Sequence, residues 1–200
     1  MRIGTQTWFA ENLNYAPSAG TFVSCDEYDC ATYGRLYDWS TAMGFASSCN
    51  ENSCSSQIQS KHRGICPAGW HIPNYDDWDI LMDNVGGSST AGKHLKARSG
   101  WENGIENLDT YGFSALPGGG SFLVPVPGGI RGISCCVGSL GSWWSASENE
   151  DNSYGDGAYF RHMNYSSDNV YNSDVYIIDG TAMAGGNFKV SLHSVRCLQD

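Results

Sequence analysis

The sequence predicts an α+β domain: two early helices packed on a small twisted antiparallel sheet, with long Gly/Ser/Asn-rich loops and disulfide staples. Three observations carry this. Apolar residues recur at helical spacing only in the first half, while short strand-like runs broken by glycine and proline fill the chain from Tyr111 onward, the order expected of an α+β fold. Cys66, inside GICPAGWHIP (64–73), and Cys197, inside HSVRCL (193–198), sit in firm local contexts on either side of more than a hundred irregular residues. A bridge between them ties that irregular middle onto a small scaffold.

Taken in order, residues 3–15 (IGTQTWFAENLNY) read as a strand and a turn, with Ile3, Trp8, Phe9 and Leu13 in the core. A polar loop follows with Cys25 and Cys30. Residues 33–45 place Leu36, Trp39 or Ser40, and Met43 at helical spacing, which predicts a helix. The Ser/Asn-rich loop 46–62 holds Cys49 and Cys54. The strongest helix begins at Pro73-Asn74. Asn74 suits the N-cap, Asp76 and Asp77 suit the first turn, and Trp78, Leu81, Met82 and Val85 form an apolar stripe. Gly86-Gly87 is expected to stop it. Beyond lie the strand-like runs, and the Gly/Pro stretch 117–129 reads as turns between strands.

Length suits a single domain over 1–200 with a substantial core. Glycine is 25 of 200 residues, against a usual share of about 7%. The formal charge is -10, which disfavours nucleic acid and anionic lipid surfaces as partners. No run of apolar residues is long enough to span a membrane. The first residues lack a charged start followed by an apolar run, so an exported form is expected to have carried its targeting segment ahead of this sequence. Eight cysteines without a C-x2-C knuckle or regularly spaced histidines favour disulfides over zinc. Of on the order of a hundred possible pairings, Cys25–Cys30, Cys49–Cys54 and Cys66–Cys197 are expected. Cys135 and Cys136 either bond each other or stay free.

The segments IGTQTWFAENLNY (3–15), YGRLYDWSTAM (33–43), GICPAGWHIPNYDDWDIL (64–81), GFSALPGG (112–119), WWSASE (143–148), AYFRHMNY (158–165) and SVRCL (194–198) together resemble the Fibrobacter succinogenes major paralogous domain. They occur in that family's order and cover nearly the whole chain. The family looks like a branch of the C-type-lectin-like superfamily, which includes formylglycine-generating enzymes and the variable proteins of diversity-generating retroelements. The resemblance implies a C-type-lectin-like fold, a long-loop binding face, and export to a Gram-negative cell surface, often as a lipoprotein. It also implies a long disulfide like that of C-type-lectin-like domains, tying a helix to the terminal strand. Residues 166–190 look longer and more varied than a minimal final hairpin, which reshapes the surface it presents.

The candidate site is the segment from Glu148 to Asp179. Its tyrosines Tyr154, Tyr159, Tyr165, Tyr171 and Tyr176 alternate with Asn, Asp, Ser and Gly, the composition of a recognition surface. The ligand-binding candidates are Trp144, Tyr154, Asp156, Tyr159, His162, Asn164, Tyr165, Asp168, Asn169, Tyr171 and Asn172. Flat aromatic rings beside amides and carboxylates suit sugars. The competing reading is that the tyrosines pack in a sheet. Alternation puts Tyr159, Arg161, Met163 and Tyr165 on one face and Phe160, His162 and Asn164 on the other, one of them buried. Of Trp143 and Trp144, one belongs to the core and the other is left open as a sugar platform.

Glu148, Glu150, Asp151 and Asp156 are oxygen ligands of the kind calcium takes, but lectin-type calcium tripeptides and a DxDxDG loop are absent. A solvated acidic loop competes with a structural calcium, and no other cofactor is expected. His71 reads as a satisfied core or turn residue rather than a base, and Arg196 as a structural hydrogen-bond donor. No nucleophile elbow, phosphate loop, dinucleotide fingerprint or HExxH occurs. The expected function is non-catalytic binding of an extracellular polysaccharide. An adhesin that recognises surface protein through a diversifiable face is the alternative. An oxidase resembling formylglycine-generating enzymes, resting on the two C-x4-C pairs, is a third reading. The oligomeric state is left open.

Overall fold

A computed structural model describes residues 1–102, 104–126, 129–149, 157–172, 176–178, 181–183 and 188–200. The chain opens with a hairpin of β1 (Arg2–Ile3) and β2 (Gln6–Thr7). Its turn uses Gly4 at φ +57, a left-handed conformation that glycine adopts without steric cost. Then come α1 (Cys30–Tyr33), β3 (Leu36–Tyr37) and α2 (Trp39–Met43). The expected helix over 33–45 is therefore shorter. Its first half is a strand because Leu36 and Tyr37 pair with Ser194 and His193 near the chain's end, a tertiary contact that overrides local spacing.

Two 3-10 turns, Ser47–Asn50 and Ser55–Gln57, and β4 (Trp70–His71) lead to α3 (Tyr75–Asn84). Asn74 caps α3 in a reciprocal capping box with Asp77, and Trp78, Leu81 and Met82 are buried, as the sequence predicts. Gly86-Gly87 stops it, but α4 (Ser88–Leu95) starts at once. The sheet region follows: β5 (Gly118–Val126), β6 (Gly129–Val137), β7 (Leu140–Asn149), β8 (Gly157–Asn164), β9 (Tyr171–Asn172), β10 (Tyr176–Ile178), β11 (Thr181–Met183), β12 (His193–Ser194) and β13 (Leu198–Gln199).

Strand β7 organises the main sheet. It pairs antiparallel with β8, and parallel with both β12 and β5. The sheet is thus mixed, not purely antiparallel as expected, because the chain returns from its end to lay β12 beside β7. Helices are few and strands many, so the class is α+β. Both faces of β7 and β8 are covered. One core contains Trp8, Trp78, Leu81, Phe113, Trp143 and Met163; the other contains Tyr37, Trp39, Met43, Trp144, Phe160 and Cys197. Apolar burial of this kind contributes about 25 cal/mol per Å², and each indole N–H inside it finds an acceptor. Trp143 donates to Asn12 Oδ1 at 2.8 Å, Trp144 to the Tyr37 carbonyl at 2.7 Å, and Trp39 to that of Ser145 at 3.0 Å.

All eight cysteines are paired. Cys25–Cys30, Cys49–Cys54 and Cys66–Cys197 form as expected, the last spanning 131 residues. Cys135 and Cys136 bond each other. The register places Gly118 opposite Val137 and Gly120 opposite Cys135. Gly119 and Cys136, both at positive φ, lie between them. A Cβ on Gly119 would fall 2.3 Å from the Cys135 carbonyl oxygen, so this crossing admits only glycine.

Candidate functional site

The face where α3 meets β8 and β9 brings part of the expected segment together. A register shift in β7 between Trp144 and Glu148 turns its backbone toward the start of α3. Ala146 N–H then donates to the Pro73 carbonyl at 2.9 Å, and Tyr75 N–H to Ser147 Oγ at 3.0 Å. This fixes Tyr75, the first helical residue, over β8. The Tyr159 ring meets Tyr75 edge-on at 4.8 Å, and the Arg161 guanidinium lies 4.4 Å over the Tyr75 ring. Arg161 Nη2 donates to Asp79 Oδ1 at 2.6 Å, and Asn172 Nδ2 to the Tyr75 hydroxyl at 3.0 Å. The result is a cleft of about 310 Å³ lined by Tyr75, Asp79, Asp83, Arg161, Asn172 and neighbouring Met82, Ser88 and Val170. That is the lower end of small-ligand sites.

The other candidates are dispersed. Tyr171 donates to or accepts from Ser167 Oγ at 2.8 Å and stacks on His162 at 5.0 Å. Tyr165, half-buried, sends its carbonyl to Ile105 N–H. Asp168 and Val170 run along α4: the Asp168 carbonyl accepts from Gly92 N–H at 2.7 Å, and Val170 N–H donates to Ser88 at 2.8 Å. Asn169, between them, is half-buried and bonds Ser167 Oγ through its N–H. The buried Lys96 ammonium holds this loop by donating to the Asn164 and Ser167 carbonyls at 3.0 and 2.9 Å. Burial lowers its pKa to about 8 despite the charge of Asp168.

Three expected contact residues are not on a surface. Trp144 and His162 are fully buried and Asn164 nearly so. Trp144 packs in the core that holds α2 and the Cys66–Cys197 bridge, and strand alternation puts His162 and Asn164 on the same side of β8 as Phe160, which belongs to that core. Burial pushes the His162 pKa down to about 3 and drops that of His193 well below the usual range. Trp143 is buried too, so both tryptophans belong to the core. Tyr154 and Asp156 lie outside the described residues.

Glu148 is committed elsewhere. Its carboxylate accepts from Lys189 Nζ at 2.7 Å, Cys54 N–H at 2.8 Å and Ser53 Oγ at 2.7 Å. Burial alone raises its pKa, but these donors outweigh it and hold the group below the usual range. An internal ammonium thus occupies the oxygens that a calcium ion would need. Glu150, Asp151 and Asp156, the remaining calcium candidates, lie outside the described residues. Among the described residues no cluster of three His, Cys, Asp or Glu side chains has metal-binding geometry.

His71 is buried and satisfied. It bonds Asp200 Oδ1 at 2.8 Å through Nδ1 and faces Asp77 at 3.5 Å. Arg196 donates to Asn12 Oδ1 at 3.1 and 2.8 Å and to the Phe113 carbonyl, and its cation lies over the Phe113 ring.

A larger cavity of about 740 Å³ is lined by residues from the segments 13–21, 38–47 and 63–67, among them Tyr15, Asp38, Thr41 and Arg63, and shares no described residue with the tyrosine cleft. Several of its polar groups are already held in internal hydrogen bonds. Asp38 accepts from Thr41 N–H, Ser40 Oγ and Asn50 Nδ2, and Thr41 Oγ1 accepts from Thr21 N–H. In the smaller cleft the Asp83 carboxylate makes no hydrogen bond or ion pair among the described residues, which makes that cleft the candidate site despite its size. Tyr75, Asp79 and Asp83, and Arg161 on β8, are not among the ligand-binding candidates that the sequence offers. The signal available for the first three was their spacing on the polar side of α3, at positions whose opposite face carries Trp78, Leu81 and Met82.

No helix among the described residues is long and apolar enough to cross a membrane. A family model described as the Fibrobacter succinogenes major domain matches residues 1–199. Neither a curated protein nor a solved structure matches the chain.

Proposed function

We propose, from the premise that this chain belongs to the Fibrobacter succinogenes major domain family, that it is a non-catalytic recognition module with a C-type-lectin-like fold, binding carbohydrate outside the cell. The observation that carries this reading is the cleft in which Tyr75, Arg161, Asp79, Asp83 and Asn172 converge, with Tyr159 propping the Tyr75 ring. A half-exposed aromatic ring beside an amide and carboxylates matches a sugar, whose C–H face packs on the ring while its hydroxyls bond the rim. Four disulfides support an oxidising, extracellular setting.

The test is depletion from solution by a panel of soluble and insoluble polysaccharides, against a reduced and denatured control. The native protein is expected to bind at least one, and Tyr75→Ala or Asn172→Ala to weaken that binding at least tenfold. Both side chains are only half-buried, so the variants are expected to fold. Absence of binding above the control, or full binding by both variants, overturns the reading.

A further inference from the structure

We infer that this cleft selects uncharged sugars and excludes uronates and sulfated glycans, with Asp83 as the selecting residue; the inference rests on the carbohydrate reading above. Among the described residues the cleft holds two carboxylates, Asp79 and Asp83, and one cation, Arg161, so its lining carries net negative charge. An arginine in a sugar site ordinarily favours acidic ligands, because its two terminal nitrogens form a fork for a carboxylate. Arg161 cannot present that fork. Its side chain is 4% exposed, and its Nη2 is bound to Asp79 at 2.6 Å. Its face lies on the Tyr75 ring, and its Nη1 sits below the surface without an acceptor among the described residues. A buried donor in that state is completed by a water or by a guest oxygen reaching the cleft floor, and one such bond does not offset two carboxylates.

What the cleft offers instead is acceptors. Asp79 is 53% exposed with its inner oxygen taken by Arg161, and Asp83 is exposed with both oxygens unbonded among the described residues. Hydroxyl groups donate to such oxygens. A ligand carboxylate or sulfate brings a like charge to the same place and has no proton to give. The chain's charge of -10 adds a longer-range repulsion that salt screens.

The experiment compares neutral xylan, mannan and cellulose with polygalacturonate and alginate, at low and at physiological salt, for the native chain and for Asp83→Lys. Asp83 is exposed, and far-ultraviolet circular dichroism checks that the variant is folded. The native chain is expected to bind a neutral polymer at least tenfold more tightly than either polyuronate, with the gap widest at low salt. Asp83→Lys is expected to lose neutral binding and to gain polyuronate binding about tenfold at low salt. Native binding to a polyuronate equal to or tighter than to the neutral polymers overturns the inference while leaving carbohydrate recognition standing. An Asp83→Lys profile identical to the native one overturns Asp83 as the selecting residue. Binding to no polymer removes the carbohydrate reading and this inference together.

Discussion

Glu148 and Lys189 close a buried ion pair of 2.7 Å between the last turn of β7 and the segment that leads into β12, with their side chains 4% and 0% exposed. The Lys189 ammonium also donates to the Asn52 carbonyl at 3.1 Å and sits 4.8 Å over the Trp39 ring. Nearby, Gly157 bridges Phe188. The pair therefore clamps the two roots of residues 150–187, the tyrosine-bearing span, onto the loop closed by Cys49–Cys54.

Removing one partner strands the other as a buried charge, which costs about 3–5 kcal/mol. Glu148→Gln and Lys189→Met are each expected to lose stability of that order in urea unfolding. The double variant is expected to lose clearly less than the two single losses added together. Single losses below about 0.5 kcal/mol would show that the clamp contributes little.

The Cys66–Cys197 bridge spans 131 residues while Cys25–Cys30 spans five. Chain-entropy arguments assign about 5 kcal/mol to closing the long loop and about 2 kcal/mol to the short one. Replacing both cysteines of the long bridge with alanine is expected to lower the midpoint of unfolding much further than the same change at the short one. Equal losses would contradict a scaffold held together by that clasp.

Much of this architecture was legible because its signals are local. Asn74 and Asp77 announce the start of α3 three residues apart, and the x4 spacing of two cysteine pairs announces two small staples. The illegible parts depend on distant chain. Leu36 and Tyr37 are a strand only because His193 and Ser194 return to pair with them. Helix α4 has no side-chain cap and owes its seat to Gly92, where a Cβ would fall 2.6 Å from the Asp168 carbonyl oxygen. The site was half legible for the same reason. Tyr159 and Asn172 lie in the segment whose composition marks recognition, but their partner Tyr75 is 97 residues from Asn172, on a helix whose periodicity speaks only of its buried side. Strand alternation correctly sorted Arg161 from His162. It could not show which face turns inward to the core that holds Trp144 and Phe160, and that choice is what removes His162, Asn164 and Trp144 from the ligand surface.

Tyr75 gives a test that separates site from scaffold. Tyr75→Phe keeps the ring under Arg161 but removes the hydroxyl that Asn172 bonds. Net hydrogen-bond contributions of about 1 kcal/mol set the expected loss of stability. Binding is expected to fall severalfold, because Asn172 loses its orientation. Trp144→Phe should do the reverse, costing stability through a lost core contact and a stranded Tyr37 carbonyl while leaving polysaccharide affinity unchanged. Comparable effects of both substitutions on affinity would dissolve the distinction between the cleft and the core.

The histidines predict the pH dependence. His71 has its pKa raised: burial opposes its charge, but the hydrogen bonds and charges of Asp77 and Asp200 prevail. Its stabilisation is therefore complete below the unfolded value near 6.5 and is lost as pH rises through the folded one. His162 and His193 have theirs lowered by burial, so their neutral forms favour the fold above about 6.5 and that advantage is lost as pH falls. With a folded value of about 3, His162 alone withdraws on the order of 2 kcal/mol by pH 5. Glu148 is held below its ordinary value of 4.5, so its stabilisation starts to fade only towards pH 5 and adds little slope, in the same direction as the buried histidines. Two buried histidines outweigh one partly solvated clasp, since Asp200 is 46% exposed. Urea midpoints are therefore expected to fall from pH 7 to pH 5. His162→Leu should flatten that fall and His71→Gln should steepen it. A chain more stable at pH 5 than at pH 7, or variants with unchanged slopes, would place the dominant proton uptake elsewhere.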